Sequence, residues 1–423
     1  MDSYVIKGNF FYSGDKDTIF IRPNAYLLCE NGLCAGLYDS LPQTLAALPL
    51  LDFGDRLVIP GLTDLHIHAS QFAYRGIGMD MELLDWLNTY AFPEEAKYTD
   101  LNYAALAYGQ FAAHSRRSAT TRLAVFATIH APATALLMQA LDETGLVSYV
   151  GKVNMDRNSP DYLREQSADA ALADTERWIC ETRERFANTR PILTPRFIPS
   201  CSDALLKGLG RLAEQYHLPV QSHLSENIHE IAWVRELCPT AAFYGEAYDR
   251  YGLFGGGTPC IMAHCVHSDT QERELMRKNG VYIAHSPLSN SNVCSGVAPI
   301  SDYLREGLRV GLASDVAGGE TENLFVSMAH AIRASKLRWR LLDQAVKPLS
   351  VDEAFYMVTL GGGSFFGEVG SFEQGYELDA VVLDDTALDH PQELSLRARL
   401  ERCLYLADDR SITAKFVRGN RLF

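Results

Sequence analysis

Eight short apolar runs recur through the middle of the chain, each separated from the next by a stretch with helical spacing: Leu62 to His68, Thr121 to Ala127, Val147 to Val153, Pro191 to Phe197, Leu218 to His223, Cys260 to His264, Val281 to His285 and Val310 to Asp315. The intervening segments "LNYAALAYGQFAAHSRR", "ALADTERWICETRERFA" and "DALLKGLGRLAEQY" carry good helix formers with apolar positions three or four apart. Alternation of this kind builds parallel strands joined by helices, and eight repeats predict an α/β chain folded as a (β/α)8, TIM-like barrel over residues 60–369. A doubly wound open sheet is the alternative, but no glycine fingerprint of the dinucleotide type follows a strand. "GLFGGG" at 252–257 and "LGGG" at 360–363 read as turns.

Residues 1–59 have another texture, with β-type runs at Tyr4 to Ile6, Thr18 to Ile21 and Ala25 to Cys29 broken by Gly, Asp and Pro. The same texture returns over 370–423 in "ELDAVVLDD", "RCLYLADD" and "ITAKFVRGNRLF". Both termini are therefore expected to pair into one small β-sandwich domain flanking the barrel. With 423 residues, 47% of them hydrophobic, the chain has ample material for both.

A net charge of −15 argues against nucleic acid or an anionic membrane as the main partner. The opening "MDSYVIKGNFFYSGDKD" has charges where a secretory signal has its apolar stretch, and no later run is long enough to cross a bilayer, so a cytoplasmic protein is expected. Nine cysteines without a CxxC read as reduced thiols, mostly small core residues.

In a barrel of this type, chemistry gathers at the carboxyl ends of the strands. Those ends hold His66 and His68, Arg196, His223, His264, His285 and Asp315. Strand alternation puts His66 and His68 on one face with Leu62 and Asp64, and Thr63, Leu65 and Ile67 on the other. Alone, an HxH pair is read more readily as polar residues on a wet strand face. Together, four histidines and an aspartate supply the N and O donors that suit a borderline divalent ion, most plausibly zinc. We assign His66, His68, His223 and Asp315 as ligands and His264 as the residue that holds the reacting water. No lysine lies between Lys152 and Lys207, where a lysine bridging two metals is expected, so one ion is the simpler reading; Lys152 itself reads as surface or ion-paired. Glu226, three residues past His223, can bend back over the strand end as a proton carrier. A carboxylate there also favours the N-terminus of the helix that follows.

The motifs "PGLTDLHIHASQF", "LLDWLNTYAFPEE", "LTPRF", "QSHLSEN", "MAHC", "HSPLSNSN", "SDVAGG" and "GSFEQGYELDAVVLDD" occur in order over nearly the whole chain. In them the sequence resembles the guanine deaminase branch of the amidohydrolase superfamily. The resemblance implies hydrolysis of guanine to xanthine and ammonia. It implies one Zn2+ per chain on His66, His68, His223 and Asp315, with Glu226 shuttling protons and His264 touching the reacting group. Gln71, Arg196 and Phe197 are implied to recognise the purine beside His223 and His264, and a homodimer is implied. Trp86 also lies in a matching motif but reads as a core aromatic. The sequence departs from the family at Ser286, where Cys is common, and at Glu320 and Glu322, where small residues are usual. The rival readings are an aminohydrolase for another heterocycle, such as 8-oxoguanine, an adenosine derivative or a triazine, and a non-catalytic assembly protein. The cytidine-deaminase pattern is closed, because Pro259-Cys260 has no cysteine at position 263.

Overall fold

The computed structural model describes residues 3–423. Four strands open the chain, β1 (Ser3–Asp15), β2 (Thr18–Glu30), β3 (Leu33–Tyr38) and β4 (Leu50–Pro60). The central region holds β5 (Leu62–His68), β6 (Thr120–Phe126), β7 (Val147–Gly151), β8 (Val153–Asn154), β9 (Thr189–Pro191), β10 (Thr194–Pro195), β11 (Val220–Leu224), β12 (Cys260–His264), β13 (Tyr282–His285) and β14 (Arg309–Leu312). The chain closes with β15 (Ala380–Leu383), β16 (Ile412–Val417) and β17 (Asn420–Arg421).

The central strands form two parallel four-stranded sheets, β5-β6-β7-β9 and β11-β12-β13-β14. On one side a parallel bridge from Leu193 to Val220 joins them. On the other, Asp315 N donates to His66 O at 2.9 Å and His68 N to Val316 O at 3.0 Å. The result is a mixed α/β, TIM-barrel-like body. Small and apolar side chains from both sheets, among them Leu65, Ala124, Ile261, Ala263, Ala284 and Ala313, form one inner cluster. Gly311 on β14 belongs to this fit, because a Cβ there meets Leu65 Cδ1 at 2.4 Å.

The expected fourth strand is interrupted. Pro191 and Pro195 remove ladder donors, and the run splits into β9, which pairs with β7, and β10, which pairs with β8. The alternation on β5 is interrupted too, by a register shift between Asp64 and Ile67. Leu65 thereby joins the inner cluster while His66 and His68 still converge on one centre. Asp64 turns to its neighbours instead, accepting from Ser314 Oγ at 2.5 Å, Ser314 N at 3.1 Å and His66 N at 3.2 Å.

The strands of the two termini meet in one hydrogen-bonded sheet. Among the described residues these strands run in the order β17-β16-β15-β4-β1-β2-β3, and the sheet curls far enough for Tyr4 on β1 to stack on Phe416 on β16, their ring centres 6.2 Å apart. One face gathers Tyr4, Ile6, Phe10, Phe372, Leu378 and Phe416 into its own small core, while Phe11, Leu57, Ile59 and Val381 on the other belong to the main core. "RCLYLADD" was expected as a strand but lies largely in the helix Leu396–Leu406, where Leu396, Leu400, Cys403 and Leu404 share one face and Ser395 caps the N-terminus. "LGGG" is likewise helical, since it continues the helical segment from Val351; Gly361 lets that segment approach β14, where a Cβ stands 2.8 Å from Val310 O. All nine cysteines are free, six of them buried.

Two buried basic side chains tie the sheet to the central body. Arg122 on β6 donates to both oxygens of Asp379, at 2.6 and 3.0 Å, and to Glu377 at 2.6 Å. Lys415 on β16 donates to the carbonyls of Ser115, Arg116 and Ser118, which close the helix Leu101–Arg117. Breaking such a pair strands a charge away from water. Asp379→Ala is expected to cost about 3 kcal/mol in chemical unfolding, with Asp379→Asn costing less; an unchanged midpoint for the alanine variant contradicts the tie.

A candidate metal centre and its pocket

Of the strand-end residues singled out in the sequence, five reach one buried centre, while Arg196 stands in the pocket wall beside it and His285 lies apart. His66 and His68 end β5, His264 ends β12, His223 sits within β11 and Asp315 follows β14. Two groups of three donors, His66-His68-Asp315 and His66-His223-His264, each hold their ligand atoms within 4.8 Å of one another. His66 Nε2 lies 3.1 Å and His68 Nε2 3.5 Å from Asp315 Oδ1. His68 Nε2 and His223 Nε2 are 3.3 Å apart.

The electrostatics favour a cation. Burial drives the pKa of His66 down, and those of His68 and His223 well down, so these imidazoles are neutral and keep a lone pair free. Burial acts to raise the Asp315 carboxyl, but the surrounding histidines outweigh it and hold Asp315 well below the usual carboxylate range. Both ring nitrogens of His66 and Nδ1 of His68 are buried without a hydrogen-bond partner. Unpartnered lone pairs packed this closely are the chemistry of a metal site.

The surrounding groups fix which way the rings face. His223 Nδ1 donates to the Arg196 carbonyl at 2.6 Å, which leaves Nε2 for the centre. His264 Nδ1 donates to Asn290 Oδ1 at 2.9 Å, and its Nε2 lies 3.5 Å from Glu226 Oε2 and 3.6 Å from Asp315 Oδ2. Burial works to lower the His264 pKa, yet Glu226 and Asp315 raise it overall. The backbone is strained at these strand ends, with positive φ at Ser225, His264, Cys265 and Asp315.

Glu226 is buried beside the centre and accepts from Ser295 Oγ at 3.0 Å. Burial pushes its carboxyl up to about 7. His68, His223, His264, Asp315 and Glu226 open onto one pocket, with Leu83, Trp86, Leu87 and Phe197 as apolar wall and Gln71 and Arg196 as polar wall. Trp86 is a buried member of the main core, as expected, and also lines the pocket. Phe197 lines it as well, its ring edge-to-face with Trp233 at 6.4 Å.

His285 stands apart. It is buried outside the donor groups, and burial pushes its imidazole down to about 3. Lys152 is fully buried and ion-paired with Glu165 at 2.5 Å, so it is committed within a network that also includes Asn154. Of the sequence departures, Ser286 is buried outside the pocket lining, Glu320 accepts from Asn292 at 2.9 Å, and Glu322 pairs with Arg75 and His114. The residue that sequence reasoning missed is Glu95, which is 1% exposed. Its motif was read, but adjacent Glu94 and Glu95 differ only in where a helix turns them.

A donor set of this kind at the ends of parallel strands defines a metal-dependent hydrolase. The chain belongs to the amidohydrolase family, whose model matches residues 57–422. The guanine deaminase of Dictyostelium discoideum is 34% identical over 443 residues, spanning 99% of this chain and 98% of its own length. The guanine deaminase of Homo sapiens is 35% identical over 380 residues, spanning 86% and 82%. A crystal structure of guanine deaminase from C. acetobutylicum with bound guanine in the active site matches with a TM-score of 0.97 and 47% identity over 100% of both chains.

Removing bound metal with a chelator is expected to lower the melting temperature by several degrees, and adding zinc to restore it, because the ion binds a cage that exists only in the folded chain. Superimposable melting curves with and without chelator contradict a metal centre here.

Proposed function

We propose that the protein hydrolyses guanine to xanthine and ammonia. One observation carries this reading: a buried cluster of metal-ligating side chains, a carboxyl poised near neutrality and a polar Arg196-Gln71 wall meet at a single pocket. The 47% identity to a guanine deaminase that holds guanine supports it.

In this reading His66, His68, His223 and Asp315 hold one Zn2+. When bound, the ion supplies a more acidic water and a positive charge beside the reacting carbon. Glu226 takes a proton from the attacking water and passes it to N3 of the purine as the C2–O bond forms. His264, held by Asn290, offers an N–H between Glu226 and Asp315 to the oxygen arriving at C2. Glu226 then takes the remaining proton from the new C2–OH and delivers it to the 2-amino group; the C2=O bond forms as the C2–N bond breaks, and ammonia leaves. Arg196 donates to O6, Gln71 uses its amide on the ring edge, and Phe197 faces the ring plane. Leu83, Trp86 and Leu87 exclude bulk water, which strengthens each of these contacts.

The same proposal takes the eight strands to close as one barrel over 60–369, with 1–59 and 370–423 as a flanking β domain. It takes the active form to be a cytoplasmic homodimer in purine catabolism. Among the described residues no helix is long and apolar enough to cross a membrane, which accords with that setting.

Glu226→Gln is expected to retain the metal and lose ammonia release by about 10²-fold or more; unchanged turnover contradicts the proton role. As a base, Glu226 must be ionised. Burial raises its carboxyl to about 7, and a bound cation draws it back toward its ordinary 4.5. Guanine kcat/KM is therefore expected to fall as pH drops through the interval between those values in the native protein, and a flat profile there assigns the proton to another group.

A further inference from the structure

The segment "LLDWLNTYAFPEE" forms one continuous helical stretch with an irregularity at its centre: α-helix over Leu83–Trp86, π-helix over Leu87–Ala91 and α-helix again over Phe92–Ala96. Pro93 lacks an N–H, which accords with the widened turn before it. The stretch lends Leu83, Trp86 and Leu87 to the pocket wall and carries Glu95 against the back of the polar wall.

There the Glu95 carboxylate is fully engaged. Oε2 accepts from Arg196 Nη1 at 2.6 Å and Oε1 from Gln71 Nε2 at 2.9 Å. Gln71 Oε1 in turn accepts from Ala317 N at 3.2 Å. The Gln71 amide cannot flip without turning its oxygen onto a carboxylate, so it has one orientation and one N–H left to offer. Arg196 is 3% exposed, with its guanidinium carbon 5.1 Å from the Phe92 ring centre. Glu95 is its single ion-pair partner among the described residues.

Resting on the reading above that Arg196 and Gln71 face the purine, we propose that Glu95 is a positioning residue that also sets the charge preference of the pocket. It fixes two donors in one plane and cancels the guanidinium charge, so the pocket receives a neutral purine. A buried guanidinium without its carboxylate selects anions. The distinction matters for this reaction, because xanthine has a second ring carbonyl and more acidic ring N–H groups than guanine. Above neutral pH it is partly anionic, and Glu95 therefore favours release of product over substrate.

The test compares native enzyme with Glu95→Gln at a mildly alkaline pH, with metal content measured for both. Loss of a charged hydrogen-bond acceptor is expected to lower guanine kcat/KM by about tenfold or more, while xanthine inhibits several-fold more tightly. A merely structural lesion weakens both ligands together, and that result, or unchanged kinetics, overturns the proposal. Glu95→Asp keeps the charge but is too short to span both donors. It is expected to raise KM for guanine without tightening xanthine, and it decides the matter if Glu95→Gln does not fold: an unchanged KM, or tighter xanthine, overturns the proposal. Arg196→Met separates the two levels. If it leaves guanine KM unchanged, the placement of Arg196 against the purine fails; if it impairs guanine while the Glu95 variants do not, only the role of Glu95 fails.

Discussion

Lone pairs that converge in a dry space repel one another, and the centre of this protein is built around that conflict. His66, His68 and His223 are held neutral by burial, with Asp315 ionised among them. Protons can join these groups only two at a time, as His66 Nε2 to Asp315 Oδ1 and His68 Nε2 to His223 Nε2, and no proton draws all four onto one point. A cation does, and the strand ends are aimed accordingly. The aim is not left to the ligands alone, since His223 is turned by the Arg196 carbonyl and β5 is locked to β14 by Asp64 and Ser314.

The pocket inherits its character from that centre. Arg196 turns His223 through its carbonyl and offers its guanidinium to the polar wall, so the donor cluster and that wall share a residue. Glu226 gains its raised pKa from the same burial that neutralises the imidazoles. One desolvated volume therefore keeps the imidazoles neutral, raises the Glu226 carboxyl and strengthens every polar contact made inside the pocket. Positive φ at His264 and Asp315 is held by backbone pairing, His264 opposite Leu224 on β11 and Asp315 N on the His66 carbonyl.

How much of this is legible in the sequence depends on the range of the interaction. Strand-helix alternation and the ligands at strand ends are local patterns with a fixed period, and they can be read directly. The split fourth strand is also local, but it turns on Pro191 and Pro195, whose missing donors matter only once the neighbours are known. The register shift in β5 erases strict alternation between Asp64 and Ile67, and nothing in "TDLHI" announces it. "RCLYLADD" carries enough β-type residues to pass for a strand until its apolar positions are set beside Leu396 and Leu400. Glu95 was hidden for a different reason: its two partners lie 24 and 101 residues away. Lys152 was ambiguous for the same reason until Glu165 stood beside it.

The central claim is that strand ends distant in sequence cage one ion in this pocket. Anomalous diffraction from crystals of the native protein, recorded above and below the zinc edge, tests it most directly. The expected result is a single peak per chain bonded to His66, His68, His223 and Asp315, with Lys152 and Glu165 still paired to each other. A peak elsewhere, two peaks in the pocket, or a zinc-soaked crystal with no peak among those side chains contradicts it.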